Sequence, residues 1–247
     1  MISLKLLLPA LLGAVLAASA LAQDATDPAP PPAPVMREIS PGVFEIGKIQ
    51  LDQKTRTIRF PGELNLGEGI LEYLLVTPQG STHESLLTSD VQPSDLHFAM
   101  LLLGAKGSSP DAPGAGQAPT GQIDSEYLKT APKLRGDGIS ISVKWKSGDA
   151  EKTTPVEDWV FNTVTKKAME RGPWIYNGSV FSNGHFMAQL EGAFAALVTY
   201  PSALINNPRK GSDNDQIWAV NSKALPPDKT PLEITIQLLP NDEPKTP

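Results

Sequence analysis

Apolar and polar residues alternate with a period of two along several short segments, which is the pattern of strands that bury one face. Residues 139–145 alternate most regularly. The other segments with a strand pattern are 43–51, 57–60, 174–176, 193–200 and 232–238. The pattern therefore predicts a domain built mostly of strands.

Two segments have the features of helix ends instead. Ser94 or Asp95 can cap the first free amides of a helix, and Gly104 can adopt the left-handed conformation that closes it. A second helix is predicted near 155–158, where Pro155 precedes acidic residues that suit the positive end of a helix dipole. The fold class expected from this balance is α+β: a single domain dominated by antiparallel β-sheet, with about two short helices packed on it.

The start of the chain has the composition of an export signal. Residues 1–22 carry one charge, Lys5, before an apolar run that ends in Ala20-Leu21-Ala22, as in a cleaved secretory signal peptide. A helix that spans a bilayer needs about 20 apolar residues, and this run is shorter. We therefore expect no transmembrane anchor after signal cleavage, and an exported protein that is periplasmic or secreted.

Composition also divides the rest of the chain. Residues 23–37 are rich in Pro and Ala and are predicted to form a disordered linker, while 241–247 form a polar tail. The folded domain is predicted over 38–240. Within it, Gly, Pro and Ser are frequent over about 104–137, which predicts a flexible loop.

Charge and cysteine content exclude several classes of protein. The formal net charge is −6, and the densest basic pairs, Lys166-Lys167 and Arg209-Lys210, are short, so nucleic acid is not an expected partner. These pairs and the acidic segment 213–215 are interpreted as solvated surface. The chain has no Cys, which excludes disulfides and an iron–sulfur cluster held by cysteine. Any other cofactor is left open.

The reactive polar residues concentrate between Glu72 and Gly104. Glu72, His83, Glu84 and Ser85 are the candidate catalytic residues, because His titrates near neutral pH and carboxylates can act beside it as acid or base. The segment 77–81 between the two halves of this group contains Pro and Gly and predicts a β-hairpin.

The length of that hairpin loop decides which residues share a face. A three-residue loop at 78–80 places Glu72 and Glu84 on one face of the hairpin, and His83 and Ser85 on the other. A two-residue loop shifts the register by one residue and groups Glu72 with His83 and Ser85, as an acid, a base and a nucleophile. Both registers remain open at this point.

Other residues suit binding rather than catalysis. Asp95 and His97 lie at the start of the first predicted helix, where free amides can bind an anion. Aromatic and small polar side chains that suit a carbohydrate or a peptide follow later in the chain: Trp174, Tyr176, Asn177 and Ser179. No metal site is predicted, since the candidate ligands His83, His97 and His185 form no recognised ligand spacing.

Several of these segments together resemble the YdjY domain family. The resemblance rests on Gly69 to Tyr73, His83 to Leu87 and Pro93 to His97 with the following apolar run, and it extends to Glu157-Asp158-Trp159 and 174–179. It covers about 40–240 and implies a protein exported by bacteria, without a settled activity or catalytic residues. Some members are labelled as possible iron–sulfur proteins, and this label does not transfer to a chain without Cys.

Two classes of function follow. The first is a non-catalytic binding or interaction domain of the bacterial envelope, whose partner is an envelope ligand or protein that the sequence does not identify. The alternative is a hydrolase that uses His83 with Glu72 or Glu84, with or without a metal ion. The sequence does not decide whether the protein is an enzyme.

Overall fold

A closed ring of eight strands forms the centre of the protein. The structure is a computed structural model and describes residues 35–108 and 135–240. In the order β4-β17-β7-β11-β15-β14-β5-β6, each strand pairs with the next, and β6 pairs again with β4. The predicted α+β sheet with packed helices is therefore wrong, because pairing at both edges closes the sheet into a barrel. The predominance of strands is confirmed.

The described residues form seventeen strands and two α-helices. The strands are β1 (Met36–Ser40), β2 (Val43–Ile46), β3 (Ile49–Asp52), β4 (Thr57–Leu64), β5 (Tyr73–Val76), β6 (Ser85–Thr88), β7 (Asp137–Ser147), β8 (Ala150–Pro155), β9 (Val160–Asn162), β10 (Lys167–Ala168), β11 (Trp174–Tyr176), β12 (Phe181–Ser182), β13 (His185–Phe186), β14 (Ala193–Ala196), β15 (Ile205–Asn206), β16 (Trp218–Val220) and β17 (Pro231–Leu238). The helices are α1 (Pro93–Leu102) and α2 (Met187–Glu191). Single 3-10 turns occur at Thr82–Glu84, Val156–Trp159 and Ser222–Ala224.

One edge of strand β4 pairs with two different strands, and the second of these pairings closes the barrel. Residues 57–59 of β4 pair with β3, and Glu63 and Leu64 pair with β6. Pro61 and Gly62 lie between these two pairings, and the other edge of β4 pairs with β17 along 57–63. The meander β1-β2-β3 thus continues from the first half of β4, while the second half completes the barrel.

The predicted hairpin between the two halves of the polar cluster is absent. Strands β5 and β6 are parallel, with Tyr73 opposite Ser85 and Leu75 opposite Leu87. Thr77 donates its amide to the carbonyl of Gly192, so the chain turns away from β5 instead of folding back on it. It returns to the start of β5 through the 3-10 turn. Both hairpin registers are therefore wrong, because the connecting segment reverses the chain twice.

Several local predictions are confirmed and others are corrected. Helix α1 and the left-handed Gly104 (φ 79°) are confirmed, although the helix starts at Pro93 with Gln92 as its N-cap. The predicted second helix is only a 3-10 turn, Val156–Trp159, and the continuous strand over 43–51 is the hairpin β2–β3. The chain reverses at Gly47, which has a positive φ of 58°.

A small second sheet extends beside the barrel and forms part of the site described below. It has three antiparallel strands in the order β10-β9-β16 and is joined to the chain before β5 by the bridge between Ile70 and Ala219. Its Trp218 belongs to the main hydrophobic core, as do Trp159 and Trp174, and all three are almost completely buried. The small sheet is therefore fixed to the barrel by packing.

Some predictions concern residues that the structure does not describe. The predicted signal peptide, residues 23–34 of the linker, residues 109–134 of the loop and the polar tail lie outside the described residues. Within the described ranges, no helix combines the length and the apolar composition that crossing a membrane requires.

Candidate functional site

The parallel pairing of β5 and β6 brings two predicted carboxylates together. The amide of Glu72 donates to the carbonyl of Glu84 at 3.0 Å, so the two residues lie side by side where the strands begin. The Tyr200 hydroxyl donates a hydrogen bond to Oε2 of Glu72, and the Tyr200 ring stacks on Tyr73 with 5.0 Å between ring centroids. These four side chains form an acid–tyrosine cluster.

The electrostatics of the acid–tyrosine cluster favour protonated groups. Burial raises the pKa of Glu84, the negative charge of Glu72 raises it further, and His83 opposes the shift. Burial also raises the pKa values of the Tyr73 and Tyr200 hydroxyls, and nearby carboxylates add to this effect. Both tyrosines are therefore neutral hydrogen-bond donors at physiological pH.

The remaining predicted catalytic residues do not complete a reactive set. His83 is 78% exposed, and its Nε2 lies 3.6 Å from Oε2 of Glu84. Ser85 is completely buried, and its Oγ donates to the carbonyl of Leu87 at 2.9 Å. A side chain held in this way is not available to attack a substrate from solvent. The structure thus brings Glu72, Glu84 and His83 near one another and separates Ser85 from them by burial.

His97 lies in a different place, between α1 and the barrel. Its Nδ1 shares a hydrogen bond of 2.7 Å with the Tyr176 hydroxyl, and its ring lies 5.0 Å from that of Phe186. Burial lowers the pKa of His97 and raises that of Asp95. The predicted binding residues His97 and Tyr176 therefore contact each other, in a setting that favours the neutral imidazole.

Asn177 and Ser179 hold a loop in place. The amide group of Asn177 donates to the carbonyls of Pro201 and Ala203 at 3.2 and 2.9 Å. Ser179 Oγ accepts the amide of Ala188 at 3.0 Å and donates to the carbonyl of Ser202. Oδ1 of Asn177 also accepts Nδ2 of Asn206 at 2.8 Å, and the bonds to backbone groups connect the 201–203 segment to its neighbours.

Trp174 takes part in a buried ion pair that the sequence did not reveal. Its indole Nε1 donates to Oε1 of Glu157 at 3.1 Å, and the same oxygen accepts Nη2 of Arg209 at 2.8 Å. The Arg209 guanidinium also lies 5.1 Å from the Trp174 ring centroid and donates to the carbonyls of Glu170 and Gly172. Charge pairing, stacking and backbone contacts together hold this arginine in one position.

A concave surface lies on the small sheet. Trp218, Asn162 and Lys167 stand directly opposite one another across its three strands, so their side chains share one face. Residues 209–214 form the wall above this face, and the Trp218 indole donates to the carbonyl of Gly211 at 3.1 Å. We call this space, of about 810 Å³, the small-sheet groove. Its lining is Asn162, Val164, Thr165, Lys167, Ala168, Glu170, Arg209, Lys210, Gly211, Asp213, Asn214, Ile217 and Trp218.

The sequence profile of the YdjY domain matches residues 49–237, more than half of the chain. The chain belongs to the YdjY domain family. The resemblance noted from the sequence is thereby confirmed. No curated protein and no solved structure gives a significant match. The matched region starts at β3 and ends within β17, so this YdjY domain includes the small-sheet groove and the acid–tyrosine cluster.

The histidines of this YdjY domain differ in exposure and in contacts. His83 is exposed beside Glu84, His97 contacts Tyr176, and His185 is an exposed residue of the two-residue strand β13. Within residues 35–108 and 135–240, no three His, Asp or Glu side chains converge in a way that could hold a metal ion. The three metal-ligand candidates therefore have different surroundings.

Sequence reasoning missed the groove, although it noticed two of its parts. Lys166-Lys167 and Arg209-Lys210 were recognised as the densest basic pairs and interpreted as solvated surface. In the YdjY domain, Lys167 belongs to the floor of the groove, and Arg209 and Lys210 belong to its wall. The clustering of cations was the available signal, but only the pairing of β9 with β10 and β16 brings these residues together.

Proposed function

We propose that this YdjY domain is an exported, non-catalytic binding domain of the bacterial envelope and that the small-sheet groove is its ligand site. The observation that carries the proposal is the groove itself, whose volume of about 810 Å³ is suited to a small organic ligand. Val164 and Ile217 provide apolar surface there, and Asn162, Arg209 and Lys210 provide polar groups. Ligand sites typically combine such surfaces.

The rigidity of the groove supports this role. Arg209 is fixed by Glu157, Trp174 and three further oxygen acceptors, and Trp218 is tied to the opposite wall through Gly211. When a ligand binds a preformed site, little free energy is lost in ordering the side chains of the site. The acid–tyrosine cluster, by comparison, has its polar groups directed at one another.

Fragment binding tests the proposal directly. A library of small neutral, anionic and cationic fragments is titrated against ¹⁵N-labelled mature domain, and shifts are expected at the Trp218 indole and at Val164. In the variant Val164→Asp, a charge replaces an apolar lining side chain that is 69% exposed, and binding is expected to be lost. Ile39→Asp places the same charge at an exposed apolar residue of β1, away from the groove, and binding is expected to persist. Fragments that bind elsewhere, or not at all, would refute this assignment.

Export is a separate part of the proposal and has its own test. It is supported by the apolar run and the Ala20-Leu21-Ala22 site in residues 1–22. The full chain, expressed in a bacterium with an envelope, is expected to appear outside the cytoplasm with Gln23 as its first residue, as measured by fractionation and intact mass. Cytoplasmic protein that keeps residues 1–22 would contradict export.

A further inference from the structure

We propose that the small-sheet groove selects a small monocarboxylic acid with an apolar body, bound with its carboxylate between Asn162 and Lys167. The inference rests on the proposed function and adds the chemistry of the ligand. It depends on two donors on the floor of the groove and on the apolar side chains beside them.

Asn162 supplies the first donor. Its side-chain oxygen accepts the amides of Val164 and Thr165 at 2.9 and 3.0 Å, which identifies that atom as Oδ1 and the other as the Nδ2 amide. Asn162 is only 9% exposed and lines the groove, and Nδ2 donates to no other described residue. Every buried side-chain nitrogen and oxygen of the described residues has a hydrogen-bond partner, so the unpaired Nδ2 is in contact with solvent in the groove, where a ligand oxygen can take the place of water.

Lys167 supplies the second donor. It stands directly opposite Asn162 in the β9–β10 pairing, so the two side chains leave the same face of the sheet. Lys167 makes no ion pair with any described residue. An amide donor beside an ammonium group is suited to a carboxylate, because hydrogen bonds to an ionised oxygen are stronger than those between neutral groups.

The apolar side chains of the groove determine the chemistry of the ligand atoms next to the carboxylate. Trp218 lies on the other side of Asn162 in the same row, and Ile217 and Val164 also line the groove. A ligand whose carboxylate meets Asn162 therefore places its neighbouring atoms on this apolar surface, where they are removed from water.

Two acidic side chains restrict the charge of the ligand. Glu170 and Asp213 line the groove together with Lys167 and Lys210, while the charge of Arg209 is already balanced by Glu157. A second negative charge on the ligand would meet these carboxylates. The groove is therefore expected to prefer a monoanion to a dianion.

Calorimetric titration of the mature domain with a matched ligand series tests the inference. The probe is 4-phenylbutyrate, and its comparison compounds are the neutral 4-phenylbutanamide, the cationic 4-phenylbutylamine and the dianionic phenylsuccinate. The acid is expected to bind at least about tenfold more tightly than each of the others, which corresponds to one charge-assisted hydrogen bond. Equal binding of the acid and the amide would overturn the proposal.

A nearly isosteric variant isolates the Asn162 donor. Asn162→Asp keeps the oxygen that accepts the amides of Val164 and Thr165, and it replaces Nδ2 with a second, negative oxygen. Affinity for 4-phenylbutyrate is expected to fall at least about tenfold while the melting temperature changes little. Asn183→Asp makes the same chemical change in the exposed β12–β13 turn and is expected to leave affinity unchanged.

The outcomes separate this inference from the function on which it rests. If neutral or cationic fragments bind the groove and carboxylates do not, the groove remains a ligand site and the inference about carboxylates is wrong. If Asn162→Asp binds 4-phenylbutyrate as tightly as the unaltered domain does, the assigned carboxylate position is wrong. If no fragment of any charge shifts the groove resonances, both the proposed function and this inference fail.

Discussion

Glu157 and Arg209 form an ion pair inside the domain, with 2.8 Å between Oε1 and Nη2 and only 4% and 11% of their side chains exposed. The next residue along the chain, Asp158, makes a two-point contact with Arg171, whose side chain is 64% exposed. One 3-10 turn therefore carries a buried and an exposed Arg–carboxylate pair.

Replacing Arg209 with Met is expected to destabilise the domain strongly. It leaves the Glu157 carboxylate buried without its cation, and breaking such a pair typically costs about 3–5 kcal/mol. Arg171→Met is the matched control and is expected to cost much less, because water solvates the exposed partners. Urea denaturation at pH 7 measures both. Equal losses for the two variants would contradict the structural importance of the buried pair.

His97 is expected to make stability depend on pH near neutrality. Burial holds its pKa below the ordinary value of 6.5, so on acidification the unfolded chain takes up this proton before the folded domain does. The free energy of unfolding should therefore fall as the pH drops through 6.5. His97→Gln is expected to flatten that part of the profile. Identical slopes in the unaltered domain and in this variant would exclude this assignment.

Glu84, in contrast to His97, is expected to stabilise the folded domain as the pH falls. Its pKa is raised above the ordinary value of 4.5, so the folded domain takes up this proton first and gains stability as the pH falls through the raised pKa. At pH 7 the charged carboxylate is unfavourable beside Glu72. Glu84→Gln should therefore raise the melting temperature at pH 7, and the gain should shrink towards pH 4. The control is Glu68→Gln, at an exposed glutamate. If Glu68→Gln raised the melting temperature as much as Glu84→Gln does, the gain could not be attributed to the Glu84 charge beside Glu72.

Two glycines have a left-handed backbone but different surroundings, so alanine substitutions at both distinguish the cost of backbone strain from the cost of steric overlap. Gly148 (φ 64°) has no atom within 4 Å of an added Cβ, so Gly148→Ala should cost about 1–2 kcal/mol for its left-handed backbone alone. Gly192 (φ 67°) would place a Cβ 2.2 Å from Oγ1 of Thr77 and 3.2 Å from the backbone of Gly80. Gly192→Ala should therefore cost about 1–3 kcal/mol more. Chemical denaturation of both variants measures the difference between their losses in the free energy of unfolding. A difference near zero would mean that the Thr77 segment moves aside at little cost.

The exposed histidine of the polar cluster gives a test of the hydrolase alternative. His83 is 78% exposed, so His83→Ala is expected to change the free energy of unfolding by less than about 0.5 kcal/mol. A non-catalytic domain should keep its biological effect in this variant. Loss of that effect without loss of stability would instead favour chemistry at His83.

Local structure could be predicted from the sequence where one face of a strand is buried and the other face is exposed to solvent. Segments 139–145 and 232–238 alternate cleanly and lie in β7 and β17, which pair along most of their lengths. The segment 43–51 was predicted as one strand, although Ile46 and Ile49 are three positions apart and so break the period of two; the two residues between them, Gly47-Lys48, form the turn of the hairpin. Short strands such as β9 and β16, with three residues each, contain too few positions for a period to emerge.

The closed barrel and the groove depend on pairings between distant segments. A hairpin was predicted from the Pro and Gly at 78–80, but the segment serves a parallel connection whose direction is set by the bond from Thr77 to Gly192. In the same way, Asn162 and Trp218 are far apart in the chain and lie opposite each other only in the folded sheet. Periodicity reports which side of a strand is buried, and it carries no information about which strand lies next to it.

The position of β17 in the ring sets the order in which the protein can be completed. The last strand of the described residues pairs with β4 on one side and β7 on the other, so the ring cannot close until residues 231–238 have been synthesised. Contacts over such a sequence separation form slowly, since the intervening chain must first be brought together. A chain that stops before residue 231 therefore lacks the partner of these edges of β4 and β7, and its barrel stays open.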